Sequence, residues 1–236
     1  MAEMVRLALE GQFVPYAVNV SAGAEVSESV RPFVGLAERL GALVAGLADG
    51  GVRSIVASYL GKIAEHDTRV LTLAILKGIL GRSVNEPVSF VNAPMLARDR
   101  GITVSEMRST GSQDYVSQVS VRAETESASD VEVAGTLLGK KNAERVIQVW
   151  DFEVEIEPAR HMIFFIYEDR PGIIGKVGTI LGEHDINIAT MEVGRKAAGG
   201  EALMGLTVDS PVPTDVMRTV AAEIDAHTIR AVTLDL

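Results

Sequence analysis

Phe164-Phe165-Ile166-Tyr167-Glu168-Asp169-Arg170-Pro171-Gly172-Ile173-Ile174-Gly175-Lys176-Val177-Gly178, followed by Asn187-Ile188-Ala189, is the stretch that decides how this 236-residue chain reads. An apolar run delivers the backbone to a polar loop, and Pro171 and Gly172 bend it sharply. Ile173, Val177, Ile180 and Leu181 then recur at helical spacing. The first amides of that helix have no partner within the helix and point at whatever sits above the strand. A small carboxylate fits there, so the stretch reads as a receptor for a molecule the size of an amino acid.

Outward from this point the order is strand, helix, strand, strand, helix, strand. Ile163 to Ile166 form the first strand, and Asn187 to Lys196 pairs with Ala202 to Asp209 across Gly199-Gly200. Thr214 is placed to cap a helix striped by Val216, Val220 and Ile224. Ile229 to Leu236, with Val232, Leu234 and Leu236 alternating, closes the set. This is a βαββαβ sandwich with two helices on one sheet face. Its other face calls for cover from a neighbouring copy or from the preceding part of the chain.

The preceding part is of mixed character. Val5, Leu7, Ala8 and Leu9 make one face of a helix too short to hold itself in water, and Gly11, Pro15 and Ser21-Ala22-Gly23-Ala24 break it. Phe33, Leu36, Leu40, Val44 and Leu47 describe an amphipathic helix stopped at Asp49-Gly50-Gly51. Ile55, Ala57 and Tyr59 alternate as in a strand, and Val70 to Leu76 with Ile79-Leu80 has the length of a buried helix. Between Val104 and Ile156, alternation around Val116–Arg122, Val131–Leu137 and Val146–Phe152 predicts an antiparallel sheet. The whole fits two compact units of about 75 to 150 residues.

Composition narrows the function classes. A net charge of −10 repels nucleic acid and anionic membranes. With 47% hydrophobic residues but no apolar run of about 18, the chain reads as globular rather than membrane-spanning. The absence of cysteine excludes disulfides, thiolate metal sites and cysteine nucleophiles. No secretory signal opens the chain, which makes a cytoplasmic location the expectation.

The βαββαβ segment with its Pro171-Gly172 turn and Asn187 resembles the ACT domain, a regulatory module that binds free amino acids. The resemblance extends further. The opening Val5-Arg6-Leu7-Ala8-Leu9-Glu10-Gly11-Gln12-Phe13-Val14-Pro15-Tyr16-Ala17-Val18-Asn19-Val20 looks like the last helix and return strand of the catalytic part of D-3-phosphoglycerate dehydrogenases. Phe90-Val91-Asn92-Ala93-Pro94-Met95-Leu96-Ala97-Arg98-Asp99-Arg100-Gly101-Ile102 and Arg145-Val146-Ile147-Gln148-Val149 resemble the intervening, or allosteric substrate-binding, domain of the long bacterial form. The hairpin Asn187 to Arg195 with Gly199 to Met204 is similar to the one in those enzymes.

The resemblance implies an α+β chain: a catalytic-domain remnant and linker over 1–28, a mixed α/β intervening domain over 29–157, and a ferredoxin-like ACT domain over 160–236. It implies the regulatory portion of an NAD-dependent oxidoreductase that opens L-serine biosynthesis. That portion would bind L-serine or another small amino acid, associate into a homo-oligomer through its ACT domains and report to a dehydrogenase catalytic domain. The chain itself should hold no cofactor, catalytic residue or metal, with NAD belonging to the complete enzyme. No G-x-G-x-x-G joins a strand to a helix here, and His66, His161, His184 and His227 are scattered. Two other classes fit the same module. The β subunit of a bacterial L-serine dehydratase carries an S-S-S-H run that this sequence lacks, and a stand-alone amino-acid sensor would act on another protein.

By the same resemblance, L-serine is contacted at an interface between two ACT domains by Tyr167, Asp169, Gly172, Ile173, Ile174, Asn187 and Ile188. The chemistry suits a zwitterion, with an acidic or amide oxygen for the ammonium and free amides for the carboxylate. The plainer alternatives are that Asp169 caps the helix, Asn187 tolerates a turn and Tyr167 is simply packed. Lys140, Lys141 and Arg145 form a candidate anion site, against the plainer reading of a solvated basic turn. The pattern departs at Thr207, where members with a second anion site carry an arginine. Met191, Met204 and Met217 read as core filler, and Trp150 as an interdomain packing residue.

Overall fold

A computed structural model describes residues 26–81, 87–112, 114–127 and 129–235. The helix expected at Met4–Leu9 and the rest of the opening segment to residue 25 lie outside the described residues, as does Leu236. The chain divides into two compact units, the first ending at Glu144 and the second beginning at Arg145.

The first unit holds α1 (Phe33–Leu47), β1 (Val52–Gly61), a 3-10 turn (Lys62–Glu65), α2 (Arg69–Leu80), α3 (Ala93–Asp99), β2 (Thr103–Ser109), β3 (Ser117–Thr125) and β4 (Asp130–Leu138). Its strands lie in the order β2-β1-β3-β4. β3 runs antiparallel to β1 and β4, as the alternation predicts. β2 is different, because it pairs parallel to β1. The antiparallel expectation fails there because α2 and α3 carry the chain back before it re-enters the sheet, and such a crossover returns it in the same direction.

Alternation builds the core of this unit. Ile55, Ala57 and Tyr59 stand opposite Ala123, Val121 and Val119, and Ala123 and Val121 in turn oppose Val131 and Val133, all of them buried. The other sheet face is polar, with Ser54 donating to Glu124 at 2.9 Å, Ser120 donating to Glu132 at 3.0 Å, and Arg122 paired with Asp130. α1 packs on β3 and β4, and α2 runs against α1. Their approach is close enough that a Cβ on Gly41 would overlap the Ile75 carbonyl, and one on Gly78 the Glu38 carbonyl.

The second unit takes up β5 (Ala143–Val149) from Arg145 and continues with β6 (Phe152–Ile156), β7 (His161–Glu168), α4 (Ile173–Glu183), β8 (Ile188–Arg195), β9 (Glu201–Val208), α5 (Thr214–Ile224) and β10 (Thr228–Thr233). The order β10-β7-β9-β8 is antiparallel throughout. Ile163, Phe165 and Tyr167 join Ile173, Val177 and Leu181 of α4 and Val220 and Ile224 of α5 in one core, with Met204 wholly buried and Met191 and Met217 packed against it. Thr214 is not the cap expected of it. It already lies in the helix, Pro213 occupies the cap position, and no side chain caps the end.

The helix-free face of this sheet is covered by the β5–β6 hairpin. Phe164 meets Trp150 edge-on with ring centroids 6.5 Å apart. A Cβ on Gly205 would overlap Ile156, and one on Gly194 the Glu153 carbonyl. The segment Val146–Phe152 is therefore two strands with Trp150, at φ 52°, in the turn between them. Burial on both faces is why β7 reads as a continuous apolar run. The sequence-read domains (29–157 and 160–236) and the compact units thus differ in which side holds this hairpin. Among the described residues no helix is long and apolar enough to cross a membrane.

Candidate functional site

The turn after β7 shapes a cavity of about 550 Å³ lined by Tyr167, Asp169, Arg170, Pro171, Gly172, Ile173, Ile174, Gly175, Val193, Arg195 and Gly199. Gly172, at φ +91°, occupies the cap position of α4, a conformation that an L side chain rarely adopts. No side chain caps the helix. The first helical bond runs from the Lys176 amide to the Gly172 carbonyl, so the amides of Ile173, Ile174 and Gly175 have no partner within α4. The helix therefore offers donors and a positive dipole end to an anion.

Opposite charge is supplied nearby. The Asp169 amide donates to the Gly200 carbonyl at 2.8 Å, which ties the β7 loop to the β8–β9 turn. Its carboxylate accepts from Arg195 Nη1 at 3.2 Å, so the capping alternative for Asp169 does not describe this chain. Arg170 pairs with Asp225 and Lys176 with Glu223 at 3.3 Å, which anchors the loop and α4 to the end of α5. Tyr167 is buried at 1% exposure while lining the cavity. Burial raises its phenol pKa above the ordinary value, and the Asp169 carboxylate pushes the same way. A neutral hydroxyl results, suited to a hydrogen bond.

Five of the seven residues expected to form the effector site, namely Tyr167, Asp169, Gly172, Ile173 and Ile174, line this cavity. Asn187 and Ile188 do not. Ile188 opposes Val208 at one end of β8, whereas Arg195 opposes Ala202 at the other, about 23 Å away at strand rise. Asn187 Nδ2 donates instead to Asp209 Oδ2 at 2.7 Å. Arg195 was not among the expected residues. Its signal is the strand order: β9 lies between β7 and β8, and Ala202 opposes both Tyr167 and Arg195.

The candidate anion site is divided in its chemistry. Lys140 and Lys141 are exposed in the turn after β4. Arg145 sits on β5 beside acidic groups of the following segment, with Nη1 3.2 Å from Glu157 and Nε 3.8 Å from Glu155. Thr207 is buried.

Fold and site together define a chain bearing an ACT domain, and the ACT domain family model matches residues 161–225. The model described as the D-3-phosphoglycerate dehydrogenase intervening domain matches residues 29–150, about half of the chain, and the chain belongs to that family. Among curated relatives it is similar to D-3-phosphoglycerate dehydrogenase of Mycobacterium tuberculosis, 37% identical over 99% of this chain and 44% of the relative. The enzymes of that name from Synechocystis and Methanocaldococcus jannaschii are 36% identical over 98% of the chain and 33% over 93%. These cover 42% and 41% of the relatives. The chain thus spans less than half the length of the curated relatives it matches.

Proposed function

We propose that this chain is the effector-binding and subunit-assembling portion of a D-3-phosphoglycerate dehydrogenase, with L-serine or a similarly small amino acid as the effector that restrains the enzyme by feedback. The observation that carries this reading is the cavity at the start of α4. It presents three amides free of intrahelical bonds and the Asp169 carboxylate around one space. An amino acid's carboxylate is suited to the amides and its ammonium to Asp169, where hydrogen bonds to charged groups are the strong ones.

Asn187 enters this reading only through a second copy. β8 is an edge strand of its sheet, and such edges favour pairing with another chain. In a two-fold antiparallel pairing of β8 with its copy about Met191, Asn187 of one chain comes opposite Arg195 of the other, at the mouth of the Asp169 cavity. Ile174, 56% exposed beside that cavity, supplies apolar surface for such a contact. One effector would then touch two chains, and its binding would be linked to their association.

Calorimetric titration of the purified chain with L-serine, glycine, L-alanine and L-threonine tests the proposal. Saturable binding of L-serine, weakened in Asp169→Ala, is expected. A flat titration across the panel with a folded, associated protein would sink it.

A further inference from the structure

We propose that the first unit carries a second self-association surface, the free edge of β2, whose sequence is complementary to itself about Met107. This inference rests on the first unit alone and does not depend on effector binding. Among the described residues, β2 ends the strand order and pairs only with β1. All seven of its residues are exposed, Val104 at 37% and Met107 at 53%. A strand so placed holds a row of backbone groups without sheet partners, which natural edges commonly protect with charged side chains, prolines or bulges. β2 has neither proline nor bulge, and its two charges are of opposite sign. It carries one Glu and one Arg two residues apart on the same face, Arg108 Nη2 donating to Glu106 Oε2 at 2.9 Å.

Two copies of β2 related by a two-fold axis perpendicular to the sheet must pair with matching faces, which restricts the axis to pass through a residue position. Centred on Glu106, the pairing sets Glu106 against Glu106; centred on Arg108, it sets Arg108 against Arg108. Like charges directly opposite destabilise a pair. Centred on Met107, it sets Glu106 against Arg108 and Arg108 against Glu106, Ser105 against Ser109, and Met107 against its own copy. Centred on Ser105, it pairs equally many residues of the strand but sets Glu106 against Val104 and forms no Glu–Arg pair, and axes farther out pair fewer. The Met107 register is therefore the one that joins opposite charges across the axis, around an apolar centre.

The second copy is favoured over an unrelated partner because the pattern repeats under the two-fold. Glu106 is also held in place for the role, since Thr72 donates to its Oε1 and Arg108 to its Oε2. This fixes the carboxylate on the helix side of the edge. The pairing, confined to residues 105–109 of the strand, is smaller than a standard interface, so the contact reinforces other association rather than replacing it.

The absence of native cysteine makes a direct test simple. In the full chain, Met107→Cys places two thiols across the axis at a separation a disulfide can bridge. Ser105→Cys and Ser109→Cys place their copies several residues apart along the ribbon, beyond disulfide reach. Mild oxidation is expected to convert Met107→Cys to a covalent dimer roughly tenfold or more faster than either serine variant, with the Ser105→Cys/Ser109→Cys double variant also crosslinking. Folding of each is checked by circular dichroism, and association through other surfaces does not favour position 107. Equal rates at the three single positions, or faster crosslinking at Ser105→Cys or Ser109→Cys, would overturn the assigned pairing. Failure of Met107→Cys to crosslink at concentrations where the chain is associated would overturn it as well.

Discussion

At the residue scale, the proposed effector site makes quantitative demands on Asp169 and, through a second copy, on Asn187. On that reading, replacing either with Ala removes a partner of a desolvated zwitterion and is expected to weaken L-serine binding by roughly 1.5 to 3 kcal/mol, the scale of a hydrogen bond to a charged group. Both lie at strand ends, so the fold should survive, and calorimetry on the two variants reads the effect directly. Unchanged affinity in both would place the effector elsewhere. A separate expectation concerns Tyr59, which is fully buried and shares a 2.6 Å hydrogen bond with Thr72. Because Thr72 donates to Glu106, the phenol donates to Thr72. Burial raises the Tyr59 pKa well above its ordinary 10.0. Below pH 10 the phenol is neutral folded and unfolded, and its contribution is fully present. Above it the unfolded chain gives up the proton while the folded chain keeps it, so stability falls by up to about 1.4 kcal/mol per pH unit. Urea unfolding measured from about pH 9 to 11.5 should show this decline, and Tyr59→Phe should make it shallower; an identical slope in the variant would remove Tyr59 as its source.

At the element scale, the contact between α1 and α2 leaves least room for change. Gly41 and Gly78 lie where the two helices come within reach of each other's carbonyls, and no methyl group fits. Gly78→Ala improves helix propensity by up to about 1 kcal/mol, yet it must push the helices apart. Overpacking dominates, with an expected net loss of roughly 1 to 3 kcal/mol in the denaturant unfolding of the first unit. A stabilised variant would show that the helices separate freely. Both helices were legible from their apolar spacing, but their close contact was not, because it depends on which faces meet. The β5–β6 hairpin illustrates the same limit. Its Val146, Val149 and Phe152 read as one strand, and only packing on Phe164, Gly194 and Gly205 explains the turn at Trp150. Lys196, whose ammonium lies 4.5 Å from the Phe152 ring centroid, adds a contact to the hairpin from the end of β8.

At the scale of the whole molecule, the sequence left the helix-free face of the ACT sheet to either a neighbour or the preceding chain, and the hairpin supplies that cover. The case for association through the second unit therefore rests on the β8 edge, on exposed Ile174, and on Asn187 lying at the far end of β8 from Asp169. Sedimentation at micromolar concentration should show dimers or larger species, shifted toward association by L-serine. Monomers under both conditions would contradict the two-chain effector site.

By itself the sequence determined the order of elements and most of the local chemistry. Apolar period marks α1, α2 and the strands of both sheets, and Pro171-Gly172 marks the turn that begins α4. These are local properties, set by side-chain spacing and by the conformations that proline and glycine permit. Tertiary structure alone decided which distant residues meet. It made β2 parallel, brought Arg195 to Asp169, removed Asn187 to the other end of its strand and laid the β5–β6 hairpin on the sheet. Each of these follows from strand order and face-to-face packing, which depend on pairings between residues far apart in the chain and leave no period in the sequence to read.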